Sequence, residues 1–116
     1  MRRVDDIADA SHGLRSFTGR NSRHNLEEFT GLRPGRNFQA QDVLPQKFES
    51  RFAAGGIKIH DPVCGAWVGG SHHAAISHTY HTEWARFFAR SPDPPEDQIL
   101  DFASQLARWY QFHVYF

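Results

Sequence analysis

A stripe of large apolar side chains in the C-terminal half of the chain is the feature that most constrains its fold. Its members follow one another at spacings of four, four, three and one residues, the periodicity of one helix face: Ile76, Tyr80, Trp84, Phe87 and Phe88. The pattern predicts a single helix from about Ala74 to Arg90 that buries this stripe. Four of the eight histidines lie in or just before the same segment: His72, His73, His78 and His81.

These histidines fall away from the apolar stripe when the segment is drawn as a helix. His73, Ser77 and His81 lie four residues apart, so their side chains share one face. Imidazoles one turn apart suit a metal ion or proton transfer near neutral pH. The other interpretation is a solvated polar face that is rich in histidine. Cys64 is the only cysteine, which excludes a zinc site built on several thiolates and leaves histidine with aspartate, asparagine or water as ligands.

Helical and strand patterns occur together along the rest of the chain, which predicts an α+β fold. We predict short helices near 4–10 and 25–30, a strand at 37–43, a helix from Pro45 to Gly55-Gly56, a strand at 57–60, a turn at 61–65, a helix capped by Asp93, and an extended or strand tail at 111–116. The helix after Asp93 has its own apolar stripe: Ile99, Phe102, Ala103, Leu106 and Tyr110. The three tryptophans are expected to pack in the core or at its rim.

Length and charge restrict the function classes. A chain of 116 residues is the size of one domain, and 13 basic side chains balance 13 acidic ones, so no net positive field indicates nucleic acid. No apolar run is long enough for a membrane span, and we expect no membrane partner. Residues 1–36 are rich in glycine, serine, arginine and asparagine, which predicts a loop-rich segment; the family resemblance described below implies that it is a variable lead-in to a domain at 37–116. Arg33 and Arg36 at its end are either phosphate contacts or solvated loop charges.

Four short segments in order resemble a known family: "QAQDVLPQKFESRF", "GIKIHDPVCGAWV", "YHTEWARFF" and "YQFHVYF". Together they are similar to the HNH/endonuclease VII superfamily of bacterial polymorphic toxin nucleases, in particular to AHH-like C-terminal domains of Rhs and contact-dependent inhibition proteins. The resemblance covers residues 37–116. It implies a small ββα-metal core with additional helices, and a divalent cation, Mg²⁺, Mn²⁺ or Zn²⁺, as cofactor.

The resemblance also implies roles for individual residues. Ala40 matches the alanine of the family signature, Gln41 the metal-ligand position and Asp42 the general-base position. His73, or its neighbour His72, matches the histidine of the following helix. The implied catalytic set is Gln41, Asp42 and His73, and the implied metal set is Asp42, His73, His78 and His81.

This chain departs from the family at the strand, where both histidines are missing. Gln41 is a poor metal ligand, and Asp42 with an ordinary pKa is a weak base at pH 7. Either Asp42 binds the metal and a histidine acts as base, or Gln41 marks an inactive copy. These alternatives stay open at the level of sequence.

The implied function is metal-dependent hydrolysis of phosphodiester bonds of DNA, with RNA as the second choice. Such an endonuclease toxin is delivered or secreted as the C-terminal part of a larger protein and acts in the cytoplasm of a competitor cell. A cognate immunity protein is then required in the producer. The alternative is a catalytically degenerate domain that binds nucleic acid or protein without cutting.

Overall fold

A computed structural model describes residues 13–116 and contains four α-helices and one two-stranded sheet in that range. The elements are α1 (Ser22–Thr30), β1 (Phe38–Asp42), α2 (Glu49–Ala54), β2 (Gly65–Gly69), α3 (Gly70–Arg90) and α4 (Glu96–Tyr110), with 3₁₀ turns at Gly19–Asn21, Gln46–Phe48 and Pro62–Cys64. The α+β class predicted from the sequence is confirmed. The helix predicted near 4–10 lies outside the described residues.

The sheet pairs β1 with β2 in antiparallel register, so that Ala40 lies opposite Trp67 and Gln41 opposite Ala66. The prediction of a strand at 37–43 is confirmed, but the partner strand was wrongly predicted. Residues 57–60 form no strand; Ile57 and Ile59 are buried there in irregular backbone. The second strand instead follows the turn, where Ala66 and Val68 alternate inward.

The sheet lies between two helices. Trp67 contacts α1, because its indole N–H donates to the hydroxyl of Thr30 at 3.3 Å. Gln41 contacts α3 through His73. Trp67 lies opposite Ala40, and neighbouring strand residues point to opposite faces, so α1 and α3 cover opposite sides of the sheet.

The aromatic stripe of α3 forms the centre of the core, as predicted. Ile76, Tyr80, Trp84, Phe87 and Phe88 are all buried in one unbroken helix, which begins at Gly70, four residues before the predicted start. Trp84 packs edge-to-face on Phe52 of α2 and on Phe102 of α4. Helices α2, α3 and α4 are therefore held together by one aromatic cluster.

Helix α4 differs from its prediction at both ends. Its N-cap is Pro95 rather than Asp93, and no side chain caps it, so the helix begins at Glu96. Its stripe is buried as expected apart from Tyr110, which is half-buried, while Trp109 is 68% exposed and was wrongly placed in the core or its rim. Residues 112–116 are irregular rather than a strand.

Two glycines end α2, as the sequence indicated, and one of them allows the close approach of α4. A Cβ on Gly55 would lie 2.7 Å from Cδ1 of Ile99, closer than carbon atoms can pack. Gly56 has a φ of 87°, in the left-handed region that favours glycine.

The compact structure extends to the N-terminal side of Asn37. Leu26 of α1 is buried beneath the sheet. Asn25 is fully buried, and its side-chain oxygen accepts a hydrogen bond from the backbone N–H of Arg15 at 2.8 Å. The Asn25 amide also donates back to the carbonyl of Arg15 at 3.1 Å. Within residues 13–116, no helix has the length and hydropathy needed to span a membrane.

Candidate functional site

A polar cleft of about 310 Å³ lies between the end of β1 and the first three turns of α3. This volume is in the range of small-molecule and substrate sites. Most of its lining side chains can form hydrogen bonds: Gln39, Gln41, Asp42, Gln46, His73, Ser77, Tyr80 and His81. The fold therefore brings Gln41, Asp42, His73 and His81, four of the residues predicted from the sequence, to the border of one cleft.

Gln41 and His73 are in direct contact across this cleft. The amide oxygen Oε1 of Gln41 lies 2.7 Å from Nδ1 of His73, and because an amide oxygen only accepts, Nδ1 carries the proton. In the neutral ring Nε2 then keeps its lone pair for a proton or a metal. Gln41 thus fixes the tautomer and orientation of His73, a role that sequence reasoning did not assign to it.

The structure distinguishes His73 from its neighbour His72. Nε2 of His72 donates to the backbone carbonyl of Tyr110, the last residue of α4. Adjacent residues on a helix are separated by about 100°, so only one of the two can face the cleft. His73 is that residue, and His72 instead joins α3 to the end of α4.

The side chain of Asp42 points to the opposite face of β1 from that of Gln41 and pairs with a different histidine. Its Oδ2 lies 3.5 Å from Nδ1 of His60, and this buried nitrogen has no well-formed hydrogen bond within the described part of the chain. The contact is therefore electrostatic. Burial raises the pKa of Asp42 above its ordinary value, His60 opposes this shift, and Glu49 adds to it.

Two further predicted residues lie on α3 beyond His73. His81 lines the cleft and is half-buried, whereas His78 is exposed. Burial lowers the pKa of His81, and nearby Lys47, His73 and His78 lower it further. This lowered pKa favours the neutral form of His81.

Tyr80 holds the two sides of the cleft together. Its buried hydroxyl donates to the backbone carbonyl of Val43, the residue that follows β1. This bond joins the middle of α3 to the end of the strand that carries Gln41 and Asp42. The sequence identified Tyr80 as a core residue, but its spacing gave no indication of this bond.

The donor set indicates which cation this cleft suits. In the described range 13–116, no three histidine, cysteine, aspartate or glutamate side chains are grouped as metal ligands. A closed zinc site needs four nitrogen or sulfur donors. Mg²⁺ and similar hard cations keep several waters and use one or two carboxylates together with substrate phosphates. Asp42 is the carboxylate residue at the border of the cleft, but its side chain faces His60 on the side of β1 opposite to Gln41 and His73, so the structure does not bring Asp42 and His73 together around one cation.

Comparison of the chain with protein-family models, with curated proteins and with solved structures finds no match.

Sequence reasoning missed or undervalued three residues near the cleft. Gln46 lines it, and Ser77 lines it between His73 and His81, where the four-residue spacing on α3 already placed it. His60 gave the weakest signal, because a histidine before Asp-Pro is typical of a turn. Only the folded chain brings it to Asp42.

Proposed function

We propose that this chain is a metal-dependent nuclease domain that hydrolyses phosphodiester bonds of DNA in preference to RNA. The observation that carries the proposal is the contact of Gln41 on β1 with His73 on α3. It joins a strand and the helix after the sheet at the two positions that the resemblance to HNH/endonuclease VII toxins implies for the site. β1, β2 and α3 follow one another in the order expected for a ββα-metal core, with α2 inserted between the two strands.

His73 is the general base of the proposed reaction. Its Nδ1 proton is held by Gln41, so Nε2 accepts the proton of a water molecule as the water oxygen forms a bond to phosphorus. The bond between phosphorus and the leaving oxygen breaks, and that oxygen takes a proton from solvent. A histidine suits this role better than a carboxylate, because its ordinary pKa is near 7.

In this proposal Asp42 would hold the divalent cation, which requires its carboxylate to turn from His60 to the face of β1 that carries Gln41. When bound, the cation polarises the phosphodiester and stabilises negative charge on the leaving oxygen. His60, 3.5 Å from Asp42, favours the ionised form of the carboxylate. Asp42 therefore acts as ligand rather than as base, one of the two roles that the sequence left open.

The biological setting follows from the resemblance. The domain is the C-terminal toxic part of a larger secreted or delivered protein, it acts in the cytoplasm of a competing cell, and an immunity protein protects the producer.

The test is incubation of the pure domain with plasmid DNA and with RNA, in Mg²⁺, in Mn²⁺ and in a chelator. Two pairs of variants make it specific. His73→Ala is compared with His72→Ala, its neighbour that faces α4, and Asp42→Asn with Asp101→Asn, which is exposed on α4. We expect cation-dependent cleavage that falls by at least about 100-fold in the first member of each pair. Equal activity within either pair would remove that residue from the mechanism.

One observation favours a second function, a nucleic-acid binding module that does not cut. Position 41 offers an amide rather than an imidazole, and this amide is already bonded to His73. Binding of DNA without cleavage in any cation would support this alternative and contradict the nuclease proposal.

A further inference from the structure

A group of side chains at the far end of the cleft has no part in the proposed chemistry. Gln46 and His81 line this end, and Lys47 follows Gln46 in the 3₁₀ turn Gln46–Phe48. Lys47 lies close enough to His81 to affect its ionisation. A carboxamide and an imidazole, both able to donate hydrogen bonds, therefore line this end of the cleft, and an exposed lysine follows the carboxamide in the chain.

Lys47 is a cation without a carboxylate partner among the ion pairs of residues 13–116. It is exposed, and its Nζ lies 5.8 Å from the ring centroid of Phe48. By contrast, Arg23 and Arg33 pair with glutamates of α1. Lys47 is thus available to a ligand, although Glu49, which influences Asp42, is a nearby acidic group.

Distance along α3 separates this end of the cleft from His73. His73 and His81 are eight residues apart, which corresponds to about 12 Å at the ordinary helical rise. Successive nucleotides of one strand are about 3.4 Å apart along a duplex axis. A phosphate near His81 would therefore belong to a different nucleotide from the phosphate attacked near His73.

We infer that Lys47, together with Gln46 and His81, binds a backbone phosphate of the polynucleotide other than the one that is cut. This inference rests on the proposed function and adds a second phosphate contact to the same site. Lys47 supplies the charge, and the carboxamide and imidazole supply hydrogen bonds to the phosphate oxygens. The contact gives affinity without sequence preference.

The experiment measures binding without cleavage. Fluorescence anisotropy of a short labelled DNA duplex is recorded in a chelator, over KCl concentrations from about 50 to about 200 mM, for wild type, Lys47→Gln and Lys47→Arg. Lys58→Gln is the matched control, because Lys58 is exposed, is the other lysine of the sequence and lies near Asp61 rather than near His81. Thermal unfolding confirms that each variant is folded.

Loss of one phosphate contact should reduce the slope of log affinity against log salt by about 0.9. Taking about 1 M salt as the point where the contact contributes nothing, Lys47→Gln should bind about 15-fold more weakly at 50 mM and about fourfold more weakly at 200 mM. Lys47→Arg should restore the slope, and Lys58→Gln should behave like wild type.

The outcomes separate this inference from the nuclease proposal. An unchanged slope and affinity in Lys47→Gln would overturn the phosphate contact while cleavage by the wild type still stood. The expected loss of binding in a protein that never cleaves would support the contact and sink the nuclease proposal. Failure of the wild type to bind duplex or single-stranded DNA would overturn the phosphate contact outright. An equal loss of affinity in Lys58→Gln would also overturn it, because the effect of Lys47→Gln would then reflect overall positive charge rather than a contact at the cleft.

Discussion

Replacing Tyr80 by phenylalanine tests the bond that joins α3 to the end of β1. The substitution keeps the buried ring and removes only the hydroxyl that donates to the carbonyl of Val43. Val43 is 0% exposed, so water cannot replace this donor without a local opening. A buried acceptor that loses its partner costs about 1–3 kcal/mol, and we expect a decrease of that size in the free energy of unfolding.

The assay is equilibrium unfolding in urea, followed by tryptophan fluorescence. The midpoint should fall while the slope m stays unchanged, because the variant buries nearly the same surface as the wild type. Tyr110→Phe is the control. Its ring lies 5.5 Å from that of Tyr80, yet its hydroxyl has no hydrogen bond within residues 13–116, so the expected change is within about 0.5 kcal/mol. A cost below about 0.5 kcal/mol in Tyr80→Phe would show that the carbonyl of Val43 does not depend on this hydroxyl.

Two further predictions concern a buried carboxylate and the strand position of the site. Burial raises the pKa of Asp61, whose side chain accepts from the Val63 N–H at 3.0 Å, so the folded state holds its proton more tightly than the unfolded chain does. Asp61→Asn, which keeps the cap, should match the wild type below about pH 3.9 and exceed it in stability above the raised pKa. Asp61→Ala also removes the carboxyl group but loses the cap, so it should be about 1 kcal/mol less stable than Asp61→Asn at every pH. Urea titrations from pH 3 to 8 measure this, and an asparagine variant less stable than wild type at pH 7 would contradict it. Gln41→His should place a second imidazole beside His73 and tighten Mn²⁺ or Zn²⁺ binding by about tenfold or more, as first-row metals favour nitrogen. Calorimetry on both proteins is the measurement, and equal affinities would mean that position 41 does not contribute a ligand.

Local periodicity was enough to predict the elements whose side-chain pattern repeats several times. The α3 stripe from Ile76 to Phe88 has one helical face, and burial of that face follows from the hydrophobic effect whatever the rest of the fold is. The β1 segment, with its alternation, and the glycine pair that ends α2 were predictable for the same reason, because each signal lies within a few residues. Composition likewise excluded a zinc site built on several thiolates, because Cys64 is the only cysteine.

Tertiary structure decided the partner strand and the pairing of site residues. Ile57 and Ile59 alternate as a strand would, but the backbone that pairs with β1 is 65–69, since strand pairing is a long-range contact that short segments do not encode. His72 and His73 are chemically identical neighbours. The resemblance implied that one of these two is the histidine that the helix contributes to the site. The positions of the sheet and α4 then decide that His73 contacts Gln41 and His72 contacts Tyr110. The sequence thus determined which side chains were available, and the packing of α3 against β1 determined which of them meet, because a distance between residues 32 positions apart exists only after the chain has folded.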